Sequence, residues 1–112
     1  RLGARRETLN PLRSMLAAGV PLAFGSDGMP FGPLYGLHSA MHHATPSELL
    51  TFVEALHAYT LEAARAARIE NVTGSLEVGK HADFAILSAD PALTAVVEVV
   101  ETYVDGSQAY PF

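Results

Sequence analysis

Asp27 closes the stretch Val20-Pro21-Leu22-Ala23-Phe24-Gly25-Ser26-Asp27-Gly28, an apolar run that ends in small residues and one carboxylate. A run bounded by Gly19 and Gly25 in this way reads as a strand buried on both faces, as in a parallel sheet. An acid just past such a strand lies at the carboxyl edge of the sheet, where α/β folds gather their reactive groups. Gly25 and Gly28 let the backbone turn sharply and approach a ligand, and Pro30 stiffens the exit. Ser26 has no Ser-His-Asp arrangement around it and reads as a turn hydroxyl.

His38 and His42 are the second candidates. Their i, i+4 spacing puts both on one helix face, a spacing that can bind zinc, but His38-Ser39-Ala40-Met41-His42 lacks the glutamate of His-Glu-x-x-His. They read as surface or half-buried histidines, with His38 near enough to the pocket edge to contact a substrate. His43 and His57 match no ligand spacing, and His81 is an exposed turn residue. The segment Gly74-Ser75-Leu76-Glu77-Val78-Gly79-Lys80-His81 comes close to a phosphate-binding loop. It lacks the final Ser/Thr, and a helix precedes it where a phosphate cradle needs one to follow. Lys80 and Asp83 then read as a local ion pair at a strand start.

The elements that must hold these groups are legible in turn. Asn10-Pro11 opens a helix, Leu12, Met15 and Leu16 form its apolar face, and Gly19 closes it. The strand 20–24 follows at once, so helix, glycine turn and buried strand make half of a βαβ unit. Residues 29–36, with two prolines and two glycines, form a loop, and 37–43 a short helix. Thr45-Pro46-Ser47-Glu48 is a capping box that predicts a helix over 46–59, with Leu49, Leu50, Val53 and Leu56 as its stripe. Thr60 caps a further alanine-rich helix over 61–69. From Gly74 the character changes to a strand over 82–87, a break at Asp90-Pro91, and a hairpin turning at Asp105-Gly106. The natural division is 1–73 and 74–112.

Composition narrows the function classes. The chain has 112 residues, 49% hydrophobic and 17% charged, enough for one domain. Its formal net charge is −5, and the only basic cluster is Arg1, Arg5 and Arg6, so no nucleic-acid partner is expected. Without cysteine there is neither a disulfide framework nor thiolate chemistry. No apolar run has the length of a membrane span and no signal peptide is legible, so the expected setting is cytoplasmic, away from membranes.

Three stretches in order resemble one family. They are Ala18-Gly19-Val20-Pro21-Leu22-Ala23-Phe24-Gly25-Ser26-Asp27-Gly28-Met29-Pro30, then Glu54-Ala55-Leu56-His57-Ala58-Tyr59-Thr60-Leu61-Glu62-Ala63-Ala64, then Gly74-Ser75-Leu76-Glu77-Val78-Gly79-Lys80-His81-Ala82-Asp83-Phe84-Ala85-Ile86-Leu87 with Thr102-Tyr103-Val104-Asp105-Gly106 behind it. This order resembles the C-terminal end of a metal-dependent amidohydrolase, nearest the N-substituted formamide deformylases. The resemblance implies an α/β chain: the last helix-strand unit and following helices of a (β/α)8 TIM barrel, plus a small antiparallel β-sandwich piece. It further implies that Asp27 binds an active-site metal or takes a proton from the attacking water. The expected cofactor is a divalent metal, zinc, as one or two ions. The family's His-x-His pair, its bridging ligand and its other barrel histidines are expected upstream of Arg1.

On that basis the chain is expected to be one part of a hydrolase that opens non-peptide C–N bonds in small molecules, with Asp27 catalytic or metal-ligating and His38 a weaker substrate contact. Alone it should be inactive, and lacking its barrel neighbours it should self-associate. The alternative from another class is a stand-alone, non-catalytic binding or assembly module derived from the hydrolase tail.

Overall fold

The computed structural model describes residues 9–28 and 32–111. Pro30 and the cluster Arg1, Arg5 and Arg6 lie outside them. Helix α1 (Leu12–Ala17) begins one residue later than expected: Pro11 holds the cap position and Asn10 takes a left-handed φ of 49°. Its end is the expected glycine stop. Gly19 turns left-handed, its N–H reaches the Leu16 carbonyl at 2.9 Å, and the Val20 N–H reaches Met15 at 2.9 Å. Those paired bonds satisfy carbonyls that the last turn would leave open.

The expected strand 20–24 is not a strand. Residues 20–27 form neither helix nor strand and have no ladder partner among the described residues. A strand is a statement about pairing, and nothing described lies alongside to pair. Burial also differs from expectation. Leu22 is buried and Phe24 half-buried, while Pro21, Ala23 and Gly25 are exposed, so one face is covered by helices and the other is open.

Helix α2 (Pro33–Met41) starts inside the expected loop, with Pro33 at a first-turn position that suits its fixed φ. The helix expected over 46–59 splits. Pro46–Glu48 is a single 3-10 turn, Leu49 is extended, and α3 (Phe52–Tyr59) begins afresh. The working capping box is Thr51 with Glu54: the Glu54 N–H donates to Thr51 Oγ1, and Glu54 Oε2 accepts the Thr51 N–H at 2.7 Å. Glu48 is drawn elsewhere, accepting the Ser14 N–H at 2.9 Å and hydroxyl at 2.6 Å across from α1. Helix α4 (Leu61–Ala67) follows Thr60, whose hydroxyl bonds back to the Leu56 carbonyl rather than capping forward. Ala64 packs so closely on Gly74 that a Cβ there would meet the Ala64 Cβ at 2.6 Å.

Helices α1 to α3 share one core: Leu22, Leu37, Ala40, Leu50, Ala55 and Ala58, with Leu12, Phe24 and Tyr59 packed against it. The later residues form a three-stranded antiparallel sheet in the order β1 (Phe84–Leu87), β2 (Val99–Val104), β3 (Ser107–Tyr110). Asp105 and Gly106, at φ 50° and 75°, make the tight hairpin that Asp-Gly predicts. Phe84 and Tyr103 are paired across the ladder with rings stacked at 4.6 Å. Among the described residues there is one sheet, and Ile86, Val100 and Val104 on it remain exposed. The Lys80–Asp83 ion pair does not form. Lys80 reaches Ser75 Oγ at 2.6 Å, while Asp83 accepts the Thr73 hydroxyl and the Asp105 N–H, each at 2.8 Å. The Asp105 amide and then the Thr73 hydroxyl hold the Asp83 carboxyl below its ordinary pKa.

Candidate functional site

Asp27 is exposed and holds a left-handed φ of 47° at the end of segment 20–27. Asp tolerates that conformation better than most residues. What fixes the segment lies three residues earlier. The Phe24 N–H donates to the Ala58 carbonyl at 2.8 Å, and the Phe24 ring meets Tyr59 edge-on with centroids 5.3 Å apart.

Beside Gly25 opens a cleft of about 300 Å³. Leu12, Phe24 and Ala40 give it apolar walls, and Ser39, His43 and Tyr59 supply hydroxyls and an imidazole. Spacing had offered no reason to single out His43 or Tyr59. Nor did Gly36 point to Tyr59: in the sequence it reads as a loop glycine, and only the structure places it inside α2.

His38 goes elsewhere. It lines a crevice of about 10 Å³, room for roughly one water, with Leu34, Pro91, Thr94 and Val97. His38 and His42 do share a helix face, their rings stacked at 4.0 Å, and His42 Nδ1 lies 2.9 Å from the His38 carbonyl oxygen. Asp27 is on the wall of neither of these two cavities, and His38 lines only the crevice. His43 is engaged locally, its Nδ1 accepting the Thr45 N–H at 3.1 Å. His57 and His81 are exposed, and His81 Nδ1 stands 3.8 Å from Asp105.

Among the described residues no three His, Asp or Glu side chains come together to hold a metal ion. A zinc site takes about three protein ligands and a water. The described side chains therefore do not fit a resident metal by themselves, and Asp27 could offer one carboxylate only.

The electrostatics concentrate away from Asp27. Arg13 donates to both oxygens of Glu54 and, with Nε and Nη2, to the Leu49 carbonyl at 3.2 and 3.0 Å. Those hydrogen bonds from Arg13, joined by those from Thr51, lower the Glu54 carboxyl from 4.5 to about 2.

Residues 2–110 match the amidohydrolase family. This chain belongs to that family. It is 35% identical over 116 residues to the N-substituted formamide deformylase of Arthrobacter pascens, covering 91% of this chain and 21% of that protein. It is 38% identical to Protein LONG AFTER FAR-RED 3 of Arabidopsis thaliana, covering 88% of this chain and 19% of the relative. A probable imidazolonepropionase of Danio rerio is 42% identical over 77 residues, 69% of this chain and 18% of that one. The crystal structure of an amidohydrolase from Thermotoga maritima superposes with a TM-score of 0.73 at 25% identity, covering 96% of this chain and 26% of that one. The chain thus spans about a fifth to a quarter of the length of these amidohydrolase relatives. Among the described residues no helix is long and apolar enough to cross a membrane.

Proposed function

We propose that this chain is the C-terminal part of a metal-dependent amidohydrolase acting on non-peptide C–N bonds of the formamide or amide type. The observation that carries the reading is the likeness to the formamide deformylase over nearly the whole chain, including the segment that ends in Asp27. In this reading residues 1–73 belong to the end of a (β/α)8 barrel and 74–112 to a composite β domain. Segment 20–24 is then a barrel strand whose ladder partners belong to the rest of the enzyme. Its period-two burial and its largely unpaired backbone support that.

Hydrolysis of R–NH–CHO adds water across the C–N bond and yields formate and R–NH2. Asp27, exposed at the end of segment 20–27, is suited to accept the proton of the attacking water. A divalent metal, zinc in our reading, belongs to the complete enzyme, and this chain contributes at most the Asp27 carboxylate to it. A cytoplasmic setting is part of this reading.

The stand-alone module is disfavoured by burial. Leu76, Leu93 and Val96 are 73%, 84% and 82% exposed and Val78 is fully so, an unusual amount of uncovered apolar surface for a self-contained domain. The test is product release. The complete enzyme should convert N-butylformamide to formate and butylamine, lose that activity to a chelator and regain it with Zn2+. If neither formate nor amine appears from this or related N-substituted formamides, the formamide assignment is wrong.

A further inference from the structure

Tyr59 occupies the space over Gly36. A Cβ built on Gly36 would stand 1.7 Å from the Tyr59 hydroxyl oxygen, 2.6 Å from Cζ and 2.9 Å from Cε2. Helix α2 therefore keeps a glycine in its interior despite the helix propensity it forfeits. The ring seated there presents itself to Phe24, edge to face with an interplanar angle of 70°. The residue before it, Ala58, is fully packed in the core and accepts the Phe24 N–H through its carbonyl. Among the described residues of segment 21–28, Phe24 has the one backbone N–H with a backbone partner. Gly25 and Ser26 are all that separate this anchor from Asp27.

We infer that Tyr59, wedged over Gly36, is a positioning residue for Asp27: its ring fixes Phe24, and Phe24 fixes the direction in which the chain delivers the carboxylate. Angular slack at Phe24 passes through two small residues, so a tilt there becomes a displacement at the carboxylate. A misplacement of about 1 Å in a reacting group can cost about a hundredfold in rate. The inference rests on Asp27 being the catalytic carboxylate. It adds that the ring of Tyr59, not its hydroxyl, does the holding, and that Gly36 is part of the same device.

The experiment is a small set of variants of the complete enzyme assayed on N-butylformamide. Tyr59→Leu should lower kcat about tenfold while KM stays within about twofold, because the loss falls on the alignment of the reacting group. Tyr59→Phe keeps the ring and should retain most of the turnover. Gly36→Ala, which pushes the ring aside, should lower kcat as Tyr59→Leu does. The double variant should be no worse than either single, since both act through one displaced ring. Should Gly36→Ala alone fold poorly, Tyr59→Leu in the same chain removes the clash and restores a soluble enzyme. Unchanged kcat in Tyr59→Leu overturns the inference, as do equal losses in Tyr59→Phe and Tyr59→Leu, or losses that multiply in the double variant. Asp27→Asn separates the two levels. If it abolishes turnover while kcat in the Tyr59 and Gly36 variants stays at the wild-type value, positioning fails alone. If Asp27→Asn turns over like the wild type, both readings fall.

Discussion

Arg13 on α1 grips Glu54 on α3 through both terminal nitrogens, with Nη2 to Oε2 at 2.7 Å, while the same guanidinium holds the carbonyl of Leu49. One side chain thus closes the gap between the 3-10 turn and the helix that follows it. A two-pronged contact of this kind fixes orientation as well as distance.

The pH dependence of that contact has a definite sign. The Glu54 carboxyl is depressed from 4.5 to about 2, so its stabilising contribution is complete above 4.5 and is lost as pH falls toward about 2. Melting of the complete protein followed between about pH 6 and pH 2 should show a downward step over that window. Arg13→Ala should lower the melting temperature at neutral pH and shrink the step. A variant that melts like the wild type at both ends contradicts the assignment.

Thr51→Ala should cost about 1 kcal/mol, the usual loss when a working N-cap is removed. Urea denaturation measures it. The sequence reading puts the box at Thr45-x-x-Glu48, where proline follows the cap, and does not single out Thr51-x-x-Glu54. The structure uses the second because Ser14 of another helix captures Glu48. No local pattern contains that contact.

The same distinction runs through the rest of the chain. Features set by neighbours in sequence were readable: the Gly19 stop, the Asp105-Gly106 hairpin, and the change of character at Gly74. Features set by partners at a distance were not. Segment 20–24 has a strand's composition, but whether it is a strand depends on what lies beside it. His38 and His42 share a face as their spacing says, yet which cavity His38 enters is decided by the loop of 91–97 packing over it. Asp27 stood out by its place at the end of an apolar run, while His43 and Tyr59 joined the neighbouring cleft only through packing.

Gly74→Ala should destabilise by about 1–3 kcal/mol, because the site combines a φ of 94° with an Ala64 Cβ only 2.6 Å from the added methyl. Thermal or urea unfolding reads this directly. A neutral Gly74→Ala would mean that α4 and the turn at 74–75 are less tightly seated than they stand here.

The 112 residues expressed by themselves should self-associate. Leu76, Val78, Leu93 and Val96 are exposed, and the backbone of segment 20–24 offers free edges for pairing. Sedimentation velocity should give oligomers or a broad distribution. A sharp monomer that melts cooperatively would indicate that the exposed apolar residues need no cover.

Turnover by Asp27→Asn in the complete enzyme is the most direct measurement. The substitution keeps the size and the turn preference of the side chain while removing its charge and basicity. With Asp27 as the reacting or metal-holding carboxylate, kcat on an N-substituted formamide falls by at least about a hundredfold while the melting temperature stays at the wild-type value. Turnover close to wild type in a folded Asp27→Asn enzyme contradicts it.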